Sequence, residues 1–232
     1  MVDKREELNK YWCIRWASSD NGWVFPGVNP FLKLYFPNLT EGKGVCNKRV
    51  LVPLCGKTTD LLWLCEQDLS VTGIEFCEVP IINFFKEKGL SYECYEKSCH
   101  KVYKCISKDI VIYQGDFFSM NSDILGGVFD YCCDISSLSA MIPNEQKLYV
   151  DKLISLLSFD CRLILNCFEY DVTLRNDKPP YAIFRDRLEN MFGYKFIIKE
   201  LCCNTEDTLP EGYTSRIGFN TRHIYYMIKK IN

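Results

Sequence analysis

The apolar positions of this chain fall into short blocks, separated by stretches in which they recur at helical spacing. Arg49-Val50-Leu51-Val52-Pro53 is such a block and predicts a buried strand. Leu54-Cys55-Gly56-Lys57 follows as a turn, and residues 58–67 predict a helix. Val71-Thr72-Gly73-Ile74-Glu75 predicts a second strand that ends on an acid, with a second helix over 78–88. Strand, turn, helix, strand and acid is the βαβ order of a mononucleotide-binding half. Residues 92–113 hold two or three short strands, Ile110-Val111-Ile112-Tyr113 among them, and the next strand, 128–133, is closed by Asp134. An amphipathic helix over 144–158 leads to a strand over 162–168. A Pro-Pro loop at 179–180 precedes a helix over 185–192, and the segments 194–203 and 221–228 form a closing pair of strands.

Upstream, residues 5–22 are polar and helical in places, with Trp12 and Trp16 one turn apart on one face. Asn29-Pro30 opens a second short helix through Phe36, because Asn caps and Pro suits the first helical turn. The expected architecture is α/β: a doubly wound, mostly parallel seven-stranded sheet with an antiparallel finish and an N-terminal helical cover. No repeat or low-complexity linker interrupts it, so a single domain over 1–232 is expected.

Composition narrows the partners. The formal net charge is −2 and basic residues form no long run, which argues against phosphate-driven binding of nucleic acid. The charged N-terminal stretch lacks the apolar core of a signal peptide, and no apolar run is long enough to span a membrane. A cytoplasmic monomer is the expectation. The 14 cysteines include no Cys-x-x-Cys pair. Cys94, Cys99, His100 and Cys105 come nearest to a zinc pattern, but their spacing is loose. The expectation is reduced thiols serving as small apolar residues, with no metal.

In an open α/β sheet, ligands bind beyond the carboxyl ends of the strands. Four features fall there: Leu54-Cys55-Gly56-Lys57, Glu75, Asp116-Phe117 and Asp134. Gly56 lets the backbone turn tightly against a ligand, or simply starts a helix. Gly56-Lys57-Thr58 has the ending of a phosphate-binding loop, but Leu51 stands where that loop needs glycine. Glu75, about 20 residues past the turn, is placed to accept both ribose hydroxyls of an adenosine; the alternative is a solvated strand-end carboxylate. Asp116-Phe117 can read an adenine through amine contact and ring packing, or be a turn followed by a core aromatic. Asp134 either orients ligand or caps a helix.

These residues also form a family pattern. Val50-Leu51-Val52-Pro53-Leu54-Cys55-Gly56-Lys57, with Asp60 and Leu62-Trp63-Leu64, is similar to the core signature of the thiopurine S-methyltransferase family. Arg15-Trp16, Gly22-Trp23 and Val28-Asn29-Pro30 resemble its N-terminal cofactor-covering segment. Val71–Glu75 with Phe84-Phe85, Gly115-Asp116-Phe117-Phe118, Phe129-Asp130 with Asp134 and Leu138, Pro179-Pro180-Tyr181 and Phe192-Gly193 extend the resemblance over residues 10–230. It implies a class I, Rossmann-like methyltransferase with S-adenosylmethionine as cofactor. Residue by residue, it implies cofactor contacts from Trp16, Leu54, Glu75, Asp116 and Phe117 around the Gly56 turn, and an aromatic at Trp23 that meets both cofactor and substrate. The family carries an Arg directly after the fourth-strand Asp; here it is Ile135, a change that removes a strong anion contact beside the cofactor carboxylate and the substrate. Arg216 resembles a second, substrate-side Arg of the family; the alternative is an exposed loop arginine.

The implied reaction moves a methyl group to the sulfur of a small aromatic or heterocyclic thiol, with Asp134 in a positioning role. Ile135 leaves room for another small acceptor: a selenium or tellurium compound, a halide or an aliphatic thiol. A catalytically silent adenosine-binding relative is the remaining alternative.

Overall fold

The computed structural model describes residues 4–18, 22–42, 44–175, 178–205, 208–209 and 221–231. In chain order the elements are α1 (Lys4–Ala17), α2 (Pro30–Thr40), β1 (Arg49–Pro53), α3 (Asp60–Glu66), β2 (Ser70–Glu75), α4 (Glu78–Glu87), β3 (Tyr92–Lys97), β4 (His100–Cys105), β5 (Ile110–Gln114), α5 (Ser122–Leu125), β6 (Phe129–Ile135), α6 (Ser137–Ala140), α7 (Gln146–Ser155), β7 (Leu157–Glu169), α8 (Arg185–Phe192), β8 (Phe196–Asn204) and β9 (Arg222–Lys230). They gather into two compact units, 1–29 with 45–127 and 30–44 with 128–232.

In the first unit β1, β2 and β5 run parallel, with Val52 opposite Gly73 and Glu75 opposite Gln114. β4 pairs antiparallel with β5, and β3 with β4. Val50, Leu51, Val52, Val71 and Ile74 are buried without alternation, as strands covered on both faces require. β3 is mostly exposed and carries Glu93, Glu96 and Lys97, charges that discourage further strand pairing. α4 buries Ile81, Phe84 and Phe85, spaced as one helical stripe. Each such side chain contributes about 2 kcal/mol of burial.

In the second unit β6 and β7 run parallel, with Asp134 opposite Leu165. β9 pairs antiparallel with β7, and β8 with β9. This is the expected antiparallel finish. Pro30 opens α2 as the sequence predicts, and Phe31 packs on Tyr225 with ring centroids 4.5 Å apart. α7 buries Tyr149, Val150 and Leu153.

Three expectations need correction. The described strands number nine, not seven: the segments read from the sequence already sum to eight or nine, and 92–113 holds three strands, β3, β4 and β5, where two or three were expected. β6 continues through Asp134 to Ile135, so the acid lies within the strand rather than closing it. The thiols are not all reduced: Cys13 and Cys77 form a disulfide, while the other twelve cysteines are free. Six of those twelve are buried and serve as the small apolar residues expected.

Candidate active site

The turn after β1 is built around two residues in the left-handed region, Leu54 (φ 44°) and Gly56 (φ 53°). Glycine adopts that conformation without cost, whereas a leucine pays steric strain for it. A second constraint acts on Gly56. A Cβ there would stand 2.8 Å from Cζ2 of Trp16, so the indole of α1 lies directly over the turn. Cys55 N–H donates to the Ile74 carbonyl (3.0 Å), which fixes the turn beside the end of β2.

Glu75 ends β2 and is buried. Its Oε2 accepts from Gly56 N–H (2.8 Å) and its Oε1 from Cys77 N–H (2.8 Å). Burial pushes its pKa up to about 7, and the amides of Cys77, Gly56 and Phe76 hold it from rising further. A carboxylate offers about four acceptor positions, so one with two strong backbone donors retains capacity for two more. The two hydroxyls of a ribose meet that need, which makes the residues present a fit for an adenosine.

The cover over this turn is aromatic. Trp16 is buried, and its ring stands edge-on to Trp23 at 5.1 Å. Trp12 makes a second edge contact with Trp23, also at 5.1 Å. The Arg15 guanidinium lies 4.4 Å from the Trp23 ring centroid. Asn29 N–H donates to Asp60 Oδ1 (2.7 Å), tying the end of this segment to the start of α3. Asp60 is a buried carboxylate in the quoted motif, and its role as an anchor was not read from the sequence.

Asp116 and Phe117 follow β5. Gly115 N–H donates to the Glu75 carbonyl (2.9 Å), so this loop begins beside the carboxylate. Asp116 Oδ1 accepts from Phe118 N–H (3.0 Å) and caps a short 3-10 turn, Phe117–Ser119. Phe117 is buried, with Phe118 edge-on at 6.0 Å. The turn-and-core-aromatic alternative therefore describes what these side chains do in the structure.

Asp134 and Ile135 belong to the second unit. Asp134 is fully buried: Oδ1 accepts from Ser137 N–H (2.8 Å) and Leu138 N–H (3.2 Å), and Oδ2 from Tyr149 Oη–H (2.8 Å). Burial raises its pKa to about 6, against the pull of Tyr149 and the amides of Leu138 and Ser137. From within β6 it accepts the first amides of α6, whose N-cap residue is Ser136, and so serves the capping alternative that the sequence allowed. Ile135 follows as a half-buried alkyl group at the end of β6. Arg216 lies outside the described residues.

The structure thus brings Trp16, Trp23, Leu54, Gly56 and Glu75 together, with Asp116-Phe117 attached through the Glu75 carbonyl. Comparison with known proteins identifies the family. The family model for thiopurine S-methyltransferase matches residues 8–230. The chain belongs to the thiopurine S-methyltransferase family. It is 35% identical to a thiopurine S-methyltransferase of Nitrosospira multiformis over 192 residues, covering 83% of this chain and 84% of that relative. A thiopurine S-methyltransferase of Pseudomonas fluorescens is 32% identical over 205 residues, 88% and 89% of the two chains. Membership makes the chain a methyltransferase that uses S-adenosylmethionine.

Solved structures agree on the fold. The 1,6-didemethyltoxoflavin-N1-methyltransferase of Burkholderia thailandensis, solved with S-adenosylhomocysteine, superposes with a TM-score of 0.67 at 13% identity, covering 100% of this chain and 92% of that one. Magnesium protoporphyrin IX methyltransferase from Synechocystis gives 0.66 at 14% identity, covering 100% and 99%. The architecture is that of a class I methyltransferase: a mixed, doubly wound sheet with a parallel core. Sequence reasoning also missed Cys77, whose amide completes the Glu75 cradle. No side-chain pattern signals a backbone donor.

Proposed function

We propose that this chain methylates the sulfur of a small aromatic or heterocyclic thiol, taking the methyl group from S-adenosylmethionine. The observation that carries the reading is the Glu75 cradle: a buried carboxylate at a parallel strand end, bonded to Gly56 N–H and Cys77 N–H, with acceptor positions beyond those two bonds. When bound, the cofactor supplies a methyl carbon on a sulfonium, an electrophile strong enough for a soft thiolate.

An aromatic thiol ionises appreciably near neutral pH, so the chain needs no strong general base. Its task is to hold, orient and exclude water. Glu75 accepts the ribose hydroxyls, and the Gly56 turn allows close approach of the backbone. Trp16 covers that turn, and Trp23 offers the acceptor an aromatic face. Leu54, Asp116 and Phe117 complete the cofactor side. Asp134 positions the end of β6 through its cap, and Arg216 serves the acceptor. The match over 8–230 supports one methyltransferase domain, and we read it as a cytoplasmic monomer. Among the described residues, no helix is long and apolar enough to cross a membrane.

Ile135 favours a second reading within the same chemistry. With an alkyl group where the family carries Arg, a neutral or differently charged small acceptor gains over an anionic thiopurine. The test is turnover of thiophenol-class acceptors, with thiopurines, selenols and halide run alongside and S-adenosylhomocysteine measured as product. Methylated thiol is the expected outcome. Turnover confined to the other acceptors moves the assignment to the second reading, and cofactor binding without any turnover marks a silent adenosine-binding relative.

A further inference from the structure

α1 is held to its unit by little apolar surface. Among its described side chains only Leu8 and Trp16 are buried. The Arg5 guanidinium adds a contact over the Phe118 ring at 4.0 Å. Trp12, Trp16 and Arg15 pack on Trp23, and a covalent tie is added to these contacts: Cys13 is bonded to Cys77, with Cα atoms 5.5 Å apart and a sequence separation of 64.

The ends of that bond are informative. Cys13 lies three residues before Trp16, on the same side of the helix. Trp16 is the residue over Gly56. Cys77 is the N-cap residue of α4, and its amide holds Glu75 Oε1. The disulfide therefore joins the helix that carries the cover to the turn that completes the carboxylate cradle. The other twelve cysteines are free, so reduction touches this bond alone.

We propose that Cys13–Cys77 is a reversible redox latch: oxidised, it pins α1 and Trp16 over the Gly56–Glu75 cradle and slows cofactor exchange; reduced, it releases the cover. The inference rests on the cofactor site proposed above. A low-molecular-weight dithiol or glutathione is the reductant. Its thiolate attacks Cys13 Sγ, on the more exposed of the two residues, breaking the Sγ–Sγ bond and forming a mixed disulfide. A second reductant thiol then displaces Cys13. Two electrons and two protons pass to the protein, which ends with two thiols, and the reductant ends as its disulfide. Oxidised glutathione reverses both steps. A reducing compartment makes the bond conditional rather than permanent.

The experiment compares the native protein oxidised with oxidised glutathione, the same protein reduced with dithiothreitol, and the Cys13→Ser and Cys77→Ser variants. Peptide mapping follows the linked pair, hydrogen exchange follows the α1 amides, and stopped-flow follows release of S-adenosylhomocysteine. We expect the linked peptide in the oxidised protein, and α1 exchange and ligand release about tenfold faster after reduction, as loss of a tether predicts. Cys13→Ser should match the reduced protein and ignore dithiothreitol, and Cys77→Ser should agree with it. Failure to find the linked peptide overturns the proposal, as does a Cys13→Ser variant that still responds to reductant. Ligand that binds but leaves at one rate in both states overturns the latch while sparing the cofactor site. Ligand that binds in no state overturns the cofactor site, and the latch with it.

Discussion

Glu75 and Asp134 are alike as letters: each is an acid at or near the end of a predicted strand followed by a helix. The structure separates them by how their oxygens are used. Asp134 is completely buried and receives Ser137 N–H, Leu138 N–H and the Tyr149 hydroxyl. All its partners come from its own unit, two of them from the turn it caps. Glu75 keeps 6% of its surface and receives two loop amides. Burial raises both carboxyls, Glu75 to about 7 and Asp134 to about 6, and most of that difference is the ordinary one between a glutamate and an aspartate; what separates them is the kind of donor, amides alone on Glu75 and a tyrosine hydroxyl as well on Asp134. A buried carboxylate closed by hydroxyl and amide donors stabilises its surroundings. One buried with donors still wanting is suited to a ligand that brings them.

Removing each carboxylate breaks or sharpens that contrast. Asp134→Ala takes the shared acceptor from Ser137 N–H, Leu138 N–H and Tyr149 Oη–H in a site without water access. The expected loss is about 3–5 kcal/mol of folding stability. For a chain of this length that lowers the melting temperature by about 10 °C. Thermal and urea melts of Asp134→Ala and Glu75→Ala, run side by side, are the check. A Glu75→Ala protein that falls further than Asp134→Ala reverses the comparison.

Glu75 should show itself in binding. Replacing it with Gln keeps the shape and removes the charge-assisted bonds to a ribose, at a cost of about 1.5–3 kcal/mol in affinity for S-adenosylhomocysteine. The pH dependence gives a signature with two opposite signs. For folding, the native state holds a proton on Glu75 up to about 7 that the unfolded chain loses near 4.5, so this group's contribution to stability falls as pH rises through that window. For binding, ribose hydroxyls donate to the ionised form. Affinity therefore climbs with pH up to about 7 and levels above it. Calorimetry across that range should give a sloping profile for the native protein and a flatter one for Glu75→Gln. Parallel profiles would place the ribose elsewhere.

The same two residues show what the sequence could and could not reveal. The β1–turn–α3–β2 core was legible because contiguous apolar blocks and a glycine turn obey local rules, and Arg49–Pro53 and Arg185–Phe192 match the predicted bounds. α5 and α6 are four residues each, too short to build a periodicity, and were not predicted. The acid ahead of α6 could be ligand or cap on spacing alone. Tyr149, fifteen residues downstream, is what commits Asp134, and that partnership depends on how α7 packs. Likewise nothing in the spacing of fourteen cysteines marks Cys13 and Cys77. Their pairing depends on α1 lying beside the start of α4.

The finest test of the comparison is Tyr149→Phe, which leaves the two amides on Asp134 and deletes one hydroxyl donor. The expected destabilisation is smaller, about 1–2 kcal/mol near neutral pH, because one hydrogen bond to a charged group is lost and the ring stays. Its pH dependence is more telling than its size. Burial already raises the Asp134 pKa to about 6, and Tyr149 is foremost among the donors holding it down. Without that hydroxyl the native state grips its proton to higher pH, so stability begins to fall away over a wider window above the unfolded value of 3.8. Below about 6 the native carboxyl is protonated with or without the hydroxyl, and the charge-dependent part of the cost disappears. Melting curves of native and Tyr149→Phe protein should therefore converge as pH drops to about 6 and keep a constant gap below it. A gap that stays constant over the whole pH range would mean that the tyrosine matters through its packing in α7, and that Asp134 is closed by its two amides alone.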